Sequence, residues 1–411
     1  MNFNIKLDKQ KRNRAIVYVL TVLFSVLFIY YGNQFASQGM QIFEGASMEK
    51  PVKAQVVAVQ KRSTDSFTLD QGETAVQNIL IEFSAKILNG WQKGQVVQCN
   101  QMIDGFTPIG NKEVEVGDRV LIFNSDPSSA SSVWMFWDYI RTDTLLILGL
   151  VFMALLLLFG RGKGVNTIIS LAFTCLAVFA VFIPSILSGK NAYISSIVIC
   201  LFTIIMTLLI VNGANAKGLA AGIGCLGGVL VSGALTLVMD YFLRLTGLVD
   251  EESVFLLYME TPKPIDLKAI IFAAIIIGAM GAIMDVAMSI ASSLAEVREI
   301  MEVPTFGALM KSGIQIGRDI MGTMANTLVL AYIGSSLSMV LLLIAYNKSL
   351  LGLLNKEMIV VEILQTLVGS MGILFTIPLT SAISAFVYTR HTKTADKDSS
   401  PPLLEGQNGQ P

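Results

Sequence analysis

Apolar residues along this chain fall into long runs separated by short polar turns. The runs cover residues 15–31, 144–159, 165–187, 193–211, 219–245, 269–294, 320–346 and 359–389. A helix needs roughly 20 apolar residues to cross a hydrocarbon core of about 30 Å. The pattern therefore predicts an α-helical polytopic membrane protein with about eight transmembrane helices. Asp240 and Arg244 lie near the end of the 219–245 run and are expected to stop that helix early. The last run is longer than a span requires at about 1.5 Å per residue. Pro378 within it predicts a helix kink, because proline lacks the N–H of the helical ladder.

Two segments depart from this pattern. Residues 44–138 alternate polar and apolar positions over 52–59, 78–83, 95–99 and 119–123. Asn89-Gly90, Asp104-Gly105 and Val116-Gly117-Asp118 mark turns between them. Short strands at this spacing predict a small β-barrel, OB-like, placed after the first helix. In the second segment, Phe306, Leu309, Met310, Gly313 and Ile314 fall on one helical face, and Lys311, Gln315 and Arg318 on another. With Pro304 just before it, the stretch 304–318 reads as an amphipathic helix lying along the inner leaflet.

Composition agrees with a membrane protein. Hydrophobic residues make up 53% and charged residues 14%, against about 45–50% and 25% in soluble domains. Mean hydropathy is +0.65. Lipid must cover much of that apolar surface, and disorder, collagen and a disulfide scaffold are excluded. The net charge of −1 says nothing about partners, and no nucleic-acid partner is expected.

The placement of charge sets the orientation. A cytoplasmic N-terminus puts Lys6, Lys9, Lys11, Arg12, Arg14, Arg161, Lys163, Lys217, Arg298, Lys311, Arg318, Arg390 and Lys393 inside. The outer loops then hold only Lys190, Arg244, Lys263, Lys268, Lys348 and Lys356. Both termini are expected in the cytoplasm of a cell with this chain in its plasma membrane. Residues 1–43 form a basic end and an uncleaved anchor, 44–138 the extracytoplasmic β-domain, 139–390 seven helices, and 391–411 a disordered tail.

Enzyme signatures are missing. The four cysteines, Cys99, Cys175, Cys200 and Cys225, form no CxxC pair. The last three read as small core residues; Cys99 lacks a partner in its domain and is expected to be open to an impermeant maleimide from outside. His391 is the single histidine, which removes most metal sites and any Ser–His–Asp triad. There is no HExxH or GxSxG. The Asn212–Gly218 turn lacks the Lys-Ser/Thr of a phosphate loop. No catalytic residue, metal or cofactor is expected.

Asp285 is the main chemical anomaly, because a carboxylate inside a span usually faces a bundle interior or a wet cavity. It lies about 25 Å from Lys268 at ~1.5 Å per residue, in the cytoplasmic half of the core. Ser289, Ser292 and Glu296 continue its helical stripe toward the cytoplasm. On the next helix Asp319, Thr323 and Asn326 share a face, with Asn326 near the depth of Asp285 and Arg318 placed to pair with Asp285 or guard a mouth. An ordinary structural aspartate at Asp285 and an interfacial Arg318–Asp319 pair are the alternative readings of the same residues. Glu362 and Gln365 open the last span and read as interfacial. Gly218, Gly222, Gly224, Gly227, Gly228 and Gly233 crowd the 219–245 helix, a face for close helix packing or for a homo- or hetero-oligomer.

The stretches Met284-Asp285-Val286-Ala287-Met288-Ser289-Ile290-Ala291-Ser292-Ser293 and Gly317-Arg318-Asp319-Ile320-Met321-Gly322-Thr323-Met324-Ala325-Asn326-Thr327-Leu328 resemble the YibE/F-like family of bacterial membrane proteins. The likeness runs from the second span to the last, and an exported β-domain behind an N-terminal anchor also looks like this family. The resemblance implies fold and topology and brings no catalytic residues. Two functions fit. One is a secondary transporter or permease for a small solute or ion, coupled through Asp285. The other is a non-enzymatic assembly or signalling subunit whose β-domain binds an envelope partner.

Overall fold

The computed structural model describes residues 2–38, 51–68, 75–104, 112–125, 133–259, 261–346 and 349–398. The chain divides into two compact units, Met1–Gln41 with Leu156–Pro411, and Ile42–Leu155.

Helix α1, Asn2–Ala36, belongs to the first unit. The second unit is a closed five-stranded barrel in the order β1-β2-β3-β5-β4. Its strands are β1 (Val52–Thr68), β2 (Ala75–Ile87), β3 (Val96–Ile103), β4 (Arg119–Asn124) and β5 (Trp134–Tyr139). Alternation drives it: Ala54, Val56, Ile81, Phe83, Ala85, Cys99, Val120 and Ile122 point into one core. Bulges at Val56/Ala58 and Val59/Lys61 bend β1 so that it pairs with both β2 and β4. Parallel pairing of β3 with β5 completes the ring. The turns at Gly90 and Gly117 stand at φ 79° and 97°, as glycine allows; Gly105 lies outside the described residues. Gln101 is buried yet satisfied: its amide donates to Lys112 O at 2.9 Å and its carbonyl accepts from Val114 N at 3.0 Å. Cys99 is fully buried, and that burial pushes its thiol up to about 12. The expected maleimide access is corrected accordingly: the side chain faces the barrel core.

Helix α2, Thr142–Leu176, begins in the barrel unit, where Asp143 accepts from Lys53 and Arg119, each at 3.0 Å. Its backbone leaves the helical region at Arg161 (φ 48°, ψ −127°), and Gly164 abuts the Leu156 carbonyl. A π-turn at Ala177–Phe182 and α3 (Ile183–Leu187) follow. The helical unit continues through α4 (Ala192–Val211), α5 (Ala216–Leu243), α6 (Glu251–Tyr258), α7 (Leu267–Ile300), α8 (Phe306–Ser335), α9 (Leu337–Tyr346), α10 (Leu350–Leu354) and α11 (Glu357–Asp398). Asn191, Asn215, Asp250, Asp266 and Thr305 cap their helices by accepting from backbone N–H groups. Glu357 closes the turn after α5, accepting from Thr246 N at 2.7 Å and Gly247 N at 2.6 Å.

Among the described residues six of these helical stretches are long and apolar enough to cross a membrane, and α8 with α9, bent by 62°, adds a seventh if the pair counts as one span. The runs 144–159 and 165–187, expected as two spans, lie in one stretch, Thr142–Leu187, broken at Arg161. Two other expectations change. The segment 304–318 is no separate in-plane helix: it is the first half of α8, with Leu309, Gly313 and Gly317 buried. Gly313 meets Ser381 and Leu294, and Gly317 meets Ile377, so the segment packs inside the bundle on α11 and α7. The tail is helical as far as Asp398, and 399–411 lie outside the described residues.

Candidate functional site

Three helices form the centre of the helical unit. Helix α5 runs against α11, with Gly224 on Thr380, and Gly228 on Thr376 and the Gly372 carbonyl. Helix α7 joins them through Ile283, which touches both Gly228 and Gly372. Glycine is needed at these points because a methyl group would sit inside van der Waals distance of a neighbouring helix. The glycine face of α5 is thus filled by the chain's own α7 and α11.

The same junction carries a polar spine that hydropathy does not reveal. Thr376, Thr380, Ser381 and Ser384 are fully buried on α11, as is Ser232 on α5. Two of them return their protons to the helix ladder: Thr376 donates to Gly372 O and Ser381 to Ile377 O, each at 2.7 Å. Tyr388, also buried, donates across to Ala291 O of α7 at 2.7 Å. The hydroxyls of Ser370 and Thr380 find no hydrogen-bond partner among the described residues. Neither does Oε2 of Glu362, a half-buried residue in the second turn of α11. A run of Ser and Thr at i and i+4 was the available signal, and it reads equally as ordinary packing.

The anticipated site lies elsewhere. The inward face of α7 is Ala279, Ile283, Val286, Ala287, Ile290 and Leu294. On the opposite side Asp285, Ser289 and Glu296 are exposed and Ser292 is half-buried. Helix α8 behaves alike: Leu309, Gly313, Gly317 and Leu328 pack inward, which turns Arg318, Asp319, Thr323 and Asn326 outward, all exposed. Leu328 meets Gly369, itself beside Ala279. Since α8 runs antiparallel to α7, Asp285 lies level with the Gly322–Asn326 stretch. Both are near the middle of their helices.

The structure brings these side chains to one depth without joining them. Among the described residues Asp285 has no hydrogen bond or ion pair, and the expected pair with Arg318 does not form. Asp319 accepts from Gln315 at 3.3 Å, and the Thr323 hydroxyl donates to Ile320 O at 2.8 Å. Pro378 is exposed, and α11 continues as a helix through it. Asp240 is spent on Lys268 at 3.4 Å near the other end of the bundle. Among the described residues no three His, Cys, Asp or Glu side chains gather as a metal site.

The YibE/F-like family model matches residues 148–390, more than half of the chain. The chain belongs to the YibE/F-like family. The match begins within α2 and ends in α11, so α1 and the barrel lie outside it. No curated protein and no solved structure matches this YibE/F-like chain. The polar face of α7 and α8 and the spine of α11 both fall inside the family region.

Proposed function

We propose that this YibE/F-like protein is a secondary permease for a small solute or ion, whose path follows the polar face of α7 and α8. One observation carries the reading. Asp285, Thr323 and Asn326 stand exposed at mid-helix depth in a unit built of spanning-length helices. A bare aspartate at that depth costs roughly 2.5–3.5 kcal/mol on insertion scales, so the face is expected to meet water or protein rather than lipid. Asp285 supplies the titratable group for coupling to a cation gradient, with Ser289, Ser292 and Glu296 leading away from it. Arg318 and Asp319 guard one end.

The topology belongs to the same proposal. Taking the break at Arg161 as a cytoplasmic turn divides Thr142–Leu187 into two spans and brings the count to eight with the bent α8–α9 pair. Both termini are then cytoplasmic in the plasma membrane, and the barrel is extracytoplasmic. The strand order β1-β2-β3-β5-β4 supports an OB-like reading of that barrel.

Purified protein in liposomes with an entrapped pH-sensitive dye tests the permease. Imposed gradients of single cations and small anions should produce a protein-dependent change of internal pH for at least one of them. A silent panel with correctly folded protein refutes coupling to protons. The second reading, an assembly subunit, draws on the barrel surface, where Trp91 is 89% exposed on the β2–β3 hairpin and Met102 61% exposed on β3. Envelope extracts passed over immobilised barrel, with Trp91→Ser as the control, test it: capture of one protein that depends on Trp91 supports this reading.

A further inference from the structure

The outward face of α8 has a repeat of its own. Gln315, Asp319, Gly322, Asn326, Leu330 and Ile333 recur three and four residues apart, and all are exposed. That is the spacing of a helix–helix seam. Its composition differs from that of a lipid-facing surface such as α4, where the exposed positions are Ile194, Ile197, Val198, Leu201 and Ile205. Gly322 of α8 and Gly281 of α7 face open space, with nothing within 4 Å of where a side chain would begin. A glycine with an asparagine one turn on, at the centre of one seam, lets two helices approach and hydrogen-bond within a bilayer.

Charge selects the occupant. Arg318 and Asp319 are adjacent, so they lie at one depth, and the face carries both signs. Two copies inserted in the same sense are related by a two-fold axis along the membrane normal, and equal depths then meet. We propose that a second copy of this chain covers this face, α8 against α8, with Arg318 opposite Asp319 of the partner subunit and Asn326 beside its counterpart. The glycine face of α5 is already occupied within the chain, whereas Gly322 of α8 is open to a partner. The permease path would then lie between the two copies, but the dimer does not depend on transport.

Cysteine cross-linking in native membranes tests the contact without disrupting it. Asn326→Cys in a Cys175→Ser background, oxidised with copper phenanthroline, should give a band at twice the chain mass. The other three cysteines are buried. Leu201→Cys on α4 should give none. In nanodiscs the wild type should weigh as two chains and Gly322→Leu as one. Arg318→Asp and Asp319→Arg should each weaken the dimer at least tenfold, and the double variant should restore it. Equal cross-linking from Leu201→Cys, no cross-link from correctly folded Asn326→Cys, or capture of a different polypeptide would each overturn the proposal. Flux is not among these readouts, so the permease reading stands or falls separately.

Discussion

Gly228 has three neighbours where its side chain would begin: the Thr376 hydroxyl, the Ile283 methyl and the Gly372 carbonyl. The last is backbone and cannot move aside. Gly228→Val should therefore destabilise by about 1–3 kcal/mol, as overpacking does, read as a lower unfolding temperature in detergent. Gly281→Ala meets open space and should leave that temperature nearly unchanged. Asp285→Asn keeps shape and strands no cation, because Asp285 holds no ion pair. The variant should fold at wild-type yield and lose pH-coupled flux; normal flux at every pH would remove Asp285 from the mechanism. At Cys99 the sign is set by burial. The folded thiol, at about 12 against an ordinary 9.0, holds its proton where the unfolded chain has lost it. Barrel stability should be complete below about pH 9 and fall toward pH 12, by up to ~1.4 kcal/mol per pH unit. Cys99→Ala should flatten that fall in a denaturant titration. The sequence marks Asp285 as unusual, because a lone carboxylate in an apolar run is visible to hydropathy. Its outward orientation is not legible there: the inward stripe through Ile283, Ile290 and Leu294 and the stripe through Asp285 and Ser289 both have helical spacing.

At the scale of elements, apolar runs located most spanning-length helices to within a few residues, since capping residues such as Asn191, Asn215 and Asp266 stand directly before them. Two elements escape this pattern for physical reasons. The polar side of 306–318 looks interfacial, yet that side faces away while Gly313 and Gly317 let the other side press on α11. Strand β5, Trp134–Tyr139, lacks a clean polar alternation and adjoins an apolar run, so it was not distinguished. The break in α2 gives an element-level prediction. Arg161 occupies positive φ, where a side chain is strained and glycine is not. Arg161→Gly should keep or raise thermal stability by about 1 kcal/mol. Gly164→Leu should lower it sharply, because the Leu156 carbonyl occupies that space. The opposite ranking would mean that the turn is not the sharp one described.

For the molecule as a whole, the barrel and the helical unit each have their own core. A fragment of residues 51–141 should unfold cooperatively on its own, as its closed sheet has no free edge. Extending it past Asp143 should add only the modest stability of exposed ion pairs, about 0–1 kcal/mol. Because Cys99 is buried, topology needs a reporter on the surface. Trp91→Cys should be labelled by impermeant maleimide in intact spheroplasts, and labelling only after permeabilisation would place the barrel inside.

The meeting of α5 with α11 also fixes an order of events during synthesis. Gly228 leaves the ribosome about 150 residues before Thr376, which fills the groove beside it. At roughly 5–20 residues per second, α5 spends about 7–30 s in the membrane with its glycines unfilled. The turn after it, Thr246-Gly247, likewise lacks the Glu357 carboxylate that will hold it. A nascent chain halted before α11 should therefore be a target for membrane proteases, while one released just after Tyr388 should not. On this order the last helix is the element that completes the bundle.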